Sequence, residues 1–250
     1  MIEKIRLSSL TKSFGEKHVL RGVDLAVHEG ETLCIIGRSG TGKSVVIKHL
    51  IGLLEPDSGS IEVGGQMLTG VDAAGKRNIC AKIGVLFQGA ALFDSMNVYD
   101  NIAFGLRRTR IGEAAVSEAV GGMVDALGLA GCEHRFPHEL SGGFQKRVAL
   151  ARSLVLKPEI MLYDEPTTGV DPVTAAAVDA MIAQMKRLTG VTSIVITHDM
   201  NSAYRIADRV AMLHEGKIIF TGAPQELKDT ADPLLRQFIE GRAHGPIQIQ

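Results

Sequence analysis

The chain has 250 residues, 45% of them hydrophobic and 22% charged, with 27 Lys and Arg against 28 Asp and Glu for a formal net charge of −1. That length is enough for one large α/β domain or two small ones with a buried core, which argues against a disordered chain, and the near-neutral balance removes a basic nucleic-acid footprint. No run of about 18 apolar residues occurs, and Met1-Ile2-Glu3-Lys4-Ile5-Arg6 lacks an apolar signal core, so neither a membrane span nor a secretory leader is expected.

Apolar runs alternate with helical patterns along the chain, which predicts an α/β fold with a largely parallel sheet. Gly22 to His28 alternates with Val23, Leu25 and Val27 on one face and reads as a half-buried strand. Glu31 to Ile36, Ile160 to Tyr163 and Thr192 to Ile196 are short continuous apolar runs, as expected of central strands buried on both faces. Between them, helical patterns at Val98 to Arg107, Gly112 to Leu127 and Ser141 to Leu156 are separated by no convincing strand. Residues 90–157 are therefore expected to form a helical subdomain inserted into a sheet core made of about 1–89 and 158–230. Val178, Met181, Ile182 and Met185 fall on one face of a helix from Pro172 to Leu188, opened by its proline. Arg209 to Leu213 and Lys217 to Thr221 flank His214-Glu215-Gly216 as a hairpin. From Ala231, a tail with Pro233, Gly241, Gly245 and Pro246 is expected to break regularity and lie over a surface. The odd number and wide spacing of Cys34, Cys80 and Cys132 fit free, mostly buried thiols of a cytosolic protein.

Three segments carry chemistry. The strand Leu33 to Ile36 runs into Gly37-Arg38-Ser39-Gly40-Thr41-Gly42-Lys43-Ser44 and then a helical pattern, the context a Walker A phosphate loop requires. Glycines let successive N–H groups face a β-phosphate, Lys43 brings a cation to the β- and γ-oxygens, and Ser44 offers a hydroxyl to Mg²⁺. The strand Ile160 to Tyr163 ends in Asp164-Glu165; Asp164 suits the Walker B role in the Mg²⁺ shell and Glu165 that of base for the attacking water. Leu140-Ser141-Gly142-Gly143-Phe144-Gln145-Lys146-Arg147 opens a helix whose N-terminus is a second anion-binding pole. One nucleotide needs only one phosphate loop, so the second pole is expected to close over a nucleotide held elsewhere.

This last segment resembles the signature motif of ABC ATPases, and with the Walker motifs in family order the resemblance spans residues 3 to 230. It implies a P-loop NTPase of ABC type, with a RecA-like sheet core, the helical insertion and a short antiparallel β portion. It also implies a head-to-tail dimer in which Ser141, Gly142 and Gly143 cap the γ-phosphate on a second copy of the chain. Other family positions carry over singly. Phe14 matches the aromatic that stacks on adenine, with a core phenylalanine as the competing reading. Gln88 matches the Q-loop glutamine near Mg²⁺ and the water. Asp171 matches the D-loop at the dimer seam, or else caps the helix begun by Pro172. His198 matches the switch histidine at the γ-phosphate. Phe144 departs from the glutamine often found there, so a polar side-chain contact is lost while Ser141 and the glycine backbone remain.

In transporters of this family the region after Gln88, here Gly89-Ala90-Ala91-Leu92-Phe93-Asp94-Ser95-Met96, forms a groove for an integral-membrane permease; ordinary subdomain packing is the alternative. That segment, Phe144 and the tail resemble the Mla (maintenance of lipid asymmetry) branch. The resemblance implies phospholipid transport across a Gram-negative envelope, at the cytoplasmic face of the inner membrane, with a permease, an MCE-domain lipid-binding protein and a STAS-domain protein. An amino-acid or other small-solute importer is the runner-up. A soluble ABC ATPase of DNA repair or translation is disfavoured by a single cassette without a basic surface, and nucleic acid is not expected as a partner. If Leu234, Leu235, Phe238 and Ile239 form one helical face, the tail is expected to dock on the other subunit or a partner.

Overall fold

Alternation along the central strands gives the main sheet two buried faces, and the computed structural model, which describes residues 2–248, builds a layer on each. In chain order the strands are β1 (Glu3–Phe14), β2 (Lys17–His28), β3 (Thr32–Ile36), β4 (Ser58–Val63), β5 (Gln66–Met67), β6 (Ile83–Leu86), β7 (Ile160–Asp164), β8 (Thr192–Ile196), β9 (Arg209–His214) and β10 (Lys217–Gly222). The helices are α1 (Lys43–Leu50), α2 (Ala73–Cys80), α3 (Val98–Ala103), α4 (Glu113–Ala126), α5 (Gly142–Leu154), α6 (Pro172–Thr189), α7 (Met200–Ile206), α8 (Pro224–Lys228) and α9 (Pro233–Glu240).

Six strands form the main sheet in the order β10-β9-β3-β8-β7-β6, parallel from β9 to β6, with β10 antiparallel at one edge. A second, antiparallel sheet runs β2-β1-β4-β5. Side chains alternate between two cores: Leu33, Ile35, Ile160, Leu162, Ile194 and Ile196 meet the antiparallel sheet and α1, while Cys34, Ile36, Met161, Tyr163 and Val195 meet the helices. Among the described residues the segment 90–157 holds helices and 3-10 turns and no strand. No described helix is long and apolar enough to cross a membrane.

Several boundaries differ from the sequence reading. β2 starts at Lys17 rather than Gly22, because its first half pairs with the end of β1, Phe14 opposite Lys17. The helix expected over Val98 to Arg107 stops at Ala103 and resumes as a 3-10 turn at Leu106–Arg108, with Gly105 between them. The tail is regular over Pro233–Glu240: Asp232 accepts from the N–H groups of Leu234 and Leu235, Pro233 fills the first helical position, and Gly241 closes the helix at φ 64°. Leu235 and Ile247 are buried in this chain's own helical-side core, with Leu234, Phe238 and Ile239 packed against it.

Candidate functional site

Parallel strands in such a sheet end at one edge, where their following loops converge. β3 ends at Ile36 and the chain turns through Gly37 to Gly42 into α1. Gly37 sits at φ 149°, and a Cβ there would lie 2.3 Å from the Leu213 carbonyl, so backbone packs where any other residue would clash. Gly42 is the left-handed residue before α1, at φ 106°. Lys43 begins the helix, and its buried ammonium donates to the carbonyls of Gly37 at 2.7 Å and Arg38 at 2.9 Å, across the inside of the loop. Burial lowers its pKa, opposed by Glu165 and Asp164.

β7 delivers the acids. Ser44 Oγ donates to Asp164 Oδ1 at 3.0 Å. Burial raises the Asp164 carboxyl above its ordinary value, against the Ser44 hydrogen bond that lowers it. Glu165 takes a left-handed backbone at φ 51° and its N–H donates to the Ile196 carbonyl at 2.9 Å, a strained conformation of the kind that collects at functional sites. Its Oε2 accepts from Thr168 Oγ1 at 2.8 Å and lies 3.2 Å from Nδ1 of His198, which follows β8 and is 51% exposed.

Glu165 lines a cavity of about 350 Å³ with Phe14, Lys17, Val19, Ser39, Gly40, Gly42, Lys43, Ser44 and Val45. Phe14, at the end of β1, is 48% exposed there, so its ring is a surface aromatic and not a core one. Arg38 and Thr41 face a neighbouring cavity; Thr41 Oγ1 donates to the Arg38 carbonyl, and Arg38 Nη1 donates to the Gln248 carbonyl at 2.9 Å. Gln88 lies exposed two residues past β6, outside the lining of the cavity.

The remaining site residues stand apart from this cavity. Ser141 precedes α5, exposed, and its hydroxyl makes no cap to its own helix. Gly143 packs close to α6; a Cβ there would meet Thr174 at 3.0 Å. Asp171 caps α6, accepting from the N–H groups of Val173 and Thr174, and the Thr174 hydroxyl bond holds its carboxyl below the ordinary value. Lys146, on the helix opened by Ser141, donates to the carbonyls of Pro166 and Thr168, tying that helix to the loop after Glu165.

Sequence reasoning missed Thr168 and Lys146 as supports of Glu165, and Asn101 as the support of the segment after Gln88. Buried Asn101 accepts from the Phe93 N–H and donates to the carbonyls of Phe93, Met96 and Asn97. The signal available for Asn101 was a polar residue between Val98 and the apolar pair Ile102-Ala103 on one helical pattern. Beside it, Phe87, Ala91, Phe93, Phe104, Leu156 and Arg152 line a groove of about 410 Å³, with the Arg152 guanidinium 5.3 Å from the Phe93 ring centre.

The oxygens of Ser44 and Asp164 are hard donors suited to Mg²⁺, and a cation would offset the burial of the Asp164 carboxyl. Among the described residues no three His, Cys, Asp or Glu are grouped to hold a metal.

The sequence profile of the ABC transporter family matches residues 20–168. The chain is 40% identical to protein Trigalactosyldiacylglycerol 3 of Arabidopsis thaliana chloroplasts, over 98% of this chain and 75% of that one. It is 42% identical to the probable ribonucleotide transport ATP-binding protein mkl of Mycobacterium tuberculosis, over 97% and 68%. It is 35% identical to the intermembrane phospholipid transport system ATP-binding protein MlaF of Escherichia coli K12, over 94% and 88%. Among solved structures, cbiO1 of Clostridium perfringens, part of the ABC transporter complex cbiONQ, superposes with a TM-score of 0.86 at 28% identity, covering 91% of each chain. A dimeric ATP-binding cassette in a post-hydrolysis state, bound to ADP and Pi, superposes at 0.79 with 28% identity, covering 88% of this chain and 98% of that one.

Proposed function

The chain belongs to the ABC transporter family of ATP-binding subunits, and from that premise we propose that its ATPase activity drives phospholipid transport through a membrane permease. The observation that carries the cargo is the 35% identity to a phospholipid transport ATPase across 94% of the chain. The similarity to mkl favours a second reading, ribonucleotide transport. The two separate on one measurement: ATPase of the chain copurified with its permease rises with phospholipid in the first case and with ribonucleotide in the second.

In this reading residues 1–89 and 158–230 form the nucleotide-binding core, 90–157 the helical subdomain and 231–250 a C-terminal extension. Phe14 stacks on adenine, and the N–H groups of Gly37 to Ser44 receive the phosphates. The Lys43 ammonium exchanges its two loop carbonyls for phosphate oxygens. Ser44, Asp164 and Gln88 would hold Mg²⁺, which would supply charge neutralisation to the phosphates. Glu165, oriented by the Thr168 hydroxyl, takes a proton from the attacking water, and His198 touches the γ-phosphate. Ser141, Gly142, Gly143 and Asp171 serve the nucleotide of a second, head-to-tail copy. Support for that geometry is the exposed Ser141 hydroxyl, uncommitted to its own helix, together with the dimeric state of a solved neighbour.

The groove at Phe87, Phe93 and Leu156 receives the permease, supported by three half-exposed apolar side chains clustered beside the strand that leads to Gln88. Such attachment puts the chain on the cytoplasmic face of an inner membrane. An MCE-domain lipid-binding protein and a STAS-domain protein complete the assembly in this reading.

A further inference from the structure

Behind Glu165 and His198, a buried polar cluster joins three segments and has no role in the reading above. Ser202, on α7 and four residues after His198, is 1% exposed. Its Oγ lies 2.9 Å from Asp179 Oδ2 on α6, 3.2 Å from Asp199 Oδ2 at the start of α7, and 3.4 Å from Thr167 Oγ1 in the loop after Glu165. Asp199 fixes where α7 begins: its Oδ1 accepts from the Asn201 N–H at 2.8 Å and its own N–H donates to Thr197 Oγ1 at 3.0 Å. Asp179 is also 1% exposed; its Oδ2 accepts from Arg205 Nη1 at 3.2 Å, and its Oδ1 has no partner among the described residues.

Two features set this cluster apart from core filling. One hydroxyl proton cannot serve the Asp179 and Asp199 carboxylates at once, and a buried carboxylate oxygen without a donor is costly. Apolar residues of the same volume would give an equally stable or more stable interior. In space the cluster ties α7, which follows directly on His198, to α6 and to the loop whose next residue, Thr168, donates to the Glu165 carboxylate.

We propose that Ser202 is a positioning residue for hydrolysis: by joining Thr167, Asp179 and Asp199 it holds α7 so that the His198 imidazole stays against the Glu165 carboxylate. It acts through His198 and touches neither nucleotide nor water. The inference rests on the roles given above to Glu165 and His198.

The test is steady-state ATP hydrolysis by the full chain, with melting temperature measured on every variant. Ser202→Ala should lower kcat roughly tenfold and leave KM for ATP unchanged, and Ser202→Thr, which keeps the hydroxyl, should restore most of the loss. In the His198→Ala background, the same Ser202→Ala change should alter the residual kcat by less than about twofold, because a residue that acts through His198 has nothing left to position. Should Ser202→Ala fail to fold, Thr167→Val removes the opposite hydroxyl at nearly constant volume and is expected to show the same kcat loss at unchanged KM. Wild-type kcat in Ser202→Ala, or in Thr167→Val where that variant stands in, overturns the inference. So does an independent, multiplicative loss in the His198→Ala background. If Glu165→Gln turns over normally, the site reading falls and the inference with it; if Glu165→Gln is inactive while Ser202→Ala is not, the inference alone falls.

Discussion

His198 and Glu165 face each other across the ends of two neighbouring parallel strands, Nδ1 of one 3.2 Å from Oε2 of the other. The Thr168 hydroxyl donates to the same Glu165 oxygen, and the Glu165 backbone is pinned to Ile196. A carboxylate so held is oriented before a water arrives, which is the condition for efficient proton acceptance. Glu165→Gln keeps the shape and loses the basicity. It should retain ATP binding, abolish turnover and accumulate an ATP-bound dimer visible by size-exclusion chromatography; normal turnover contradicts the role of Glu165.

Lys43 places the one ammonium inside the phosphate loop, within bonding distance of two carbonyls that a phosphate would replace. Lys43→Ala removes a charge-assisted hydrogen bond to the β- and γ-oxygens, worth about 1.5–3 kcal/mol or roughly 10- to 150-fold in Kd. Fluorescent-nucleotide titration reads it directly, and unchanged affinity together with unchanged turnover would remove the Walker assignment.

Ser141 gives the sharpest test of geometry between copies, because its hydroxyl is exposed and absent from the lining of this chain's own cavity. Ser141→Arg should cut hydrolysis at least about 100-fold while leaving ATP affinity of the isolated subunit within about twofold, since an oriented donor to a developing charge is worth that much in rate. A parallel fall in monomer affinity would show that the segment acts on its own nucleotide.

The groove beside Asn101 predicts a variant that separates attachment from chemistry. Phe93 is 39% exposed and lies against Arg152 and Phe104, with no part in the nucleotide cavity. Phe93→Ser should reduce copurification with the permease several-fold at unchanged ATP affinity, as expected of an aromatic anchor at an interface. Full copurification would return the groove to ordinary packing between subdomains.

The central strands were legible as continuous apolar runs, and the hairpin and helices α5 and α6 because their apolar residues are periodic and their ends carry glycine, proline or a capping acid. β1 was not, and the reason is local. Ile5 and Leu7 alternate, but Ser9 sits at φ 46° and the pairing with β2 shifts register between Leu7 and Leu10, so the two-residue period breaks inside one strand. α2 and α7 carry one and three buried residues respectively, too few to print a helical period. At the site, motif spacing located Lys43, Ser44, Asp164 and Glu165, and Thr168 and Asn101 act on neighbours three to eight positions away, whereas Lys146 and Ser202 act through contacts between segments distant in sequence. Ser202 meets Asp179, 23 positions away, and Lys146 meets the loop 20 and 22 positions on. Nothing in local composition marks such pairs.

The tail supplies the last prediction, where Pro233 read as a breaker and acts instead as the first residue of a helix. α9 lays Leu235 against the chain's own core, and the segment beyond it returns: buried Gln237 accepts from the Ile247 N–H at 2.6 Å and donates to the Ile247 carbonyl at 3.0 Å. That pair of bonds fixes Ile247 in the core at 7% exposure and brings the Gln248 carbonyl to Arg38 of the phosphate loop. A tail seated this way stabilises its own chain. Ile247→Ser should therefore lower stability by about 1.5–3 kcal/mol, the loss of one buried large apolar side chain, measured as the shift of the urea midpoint of the isolated subunit. A tail whose apolar residues served only a second subunit or a partner would give the opposite pattern: an unchanged midpoint in the isolated chain and a loss confined to copurification of the complex.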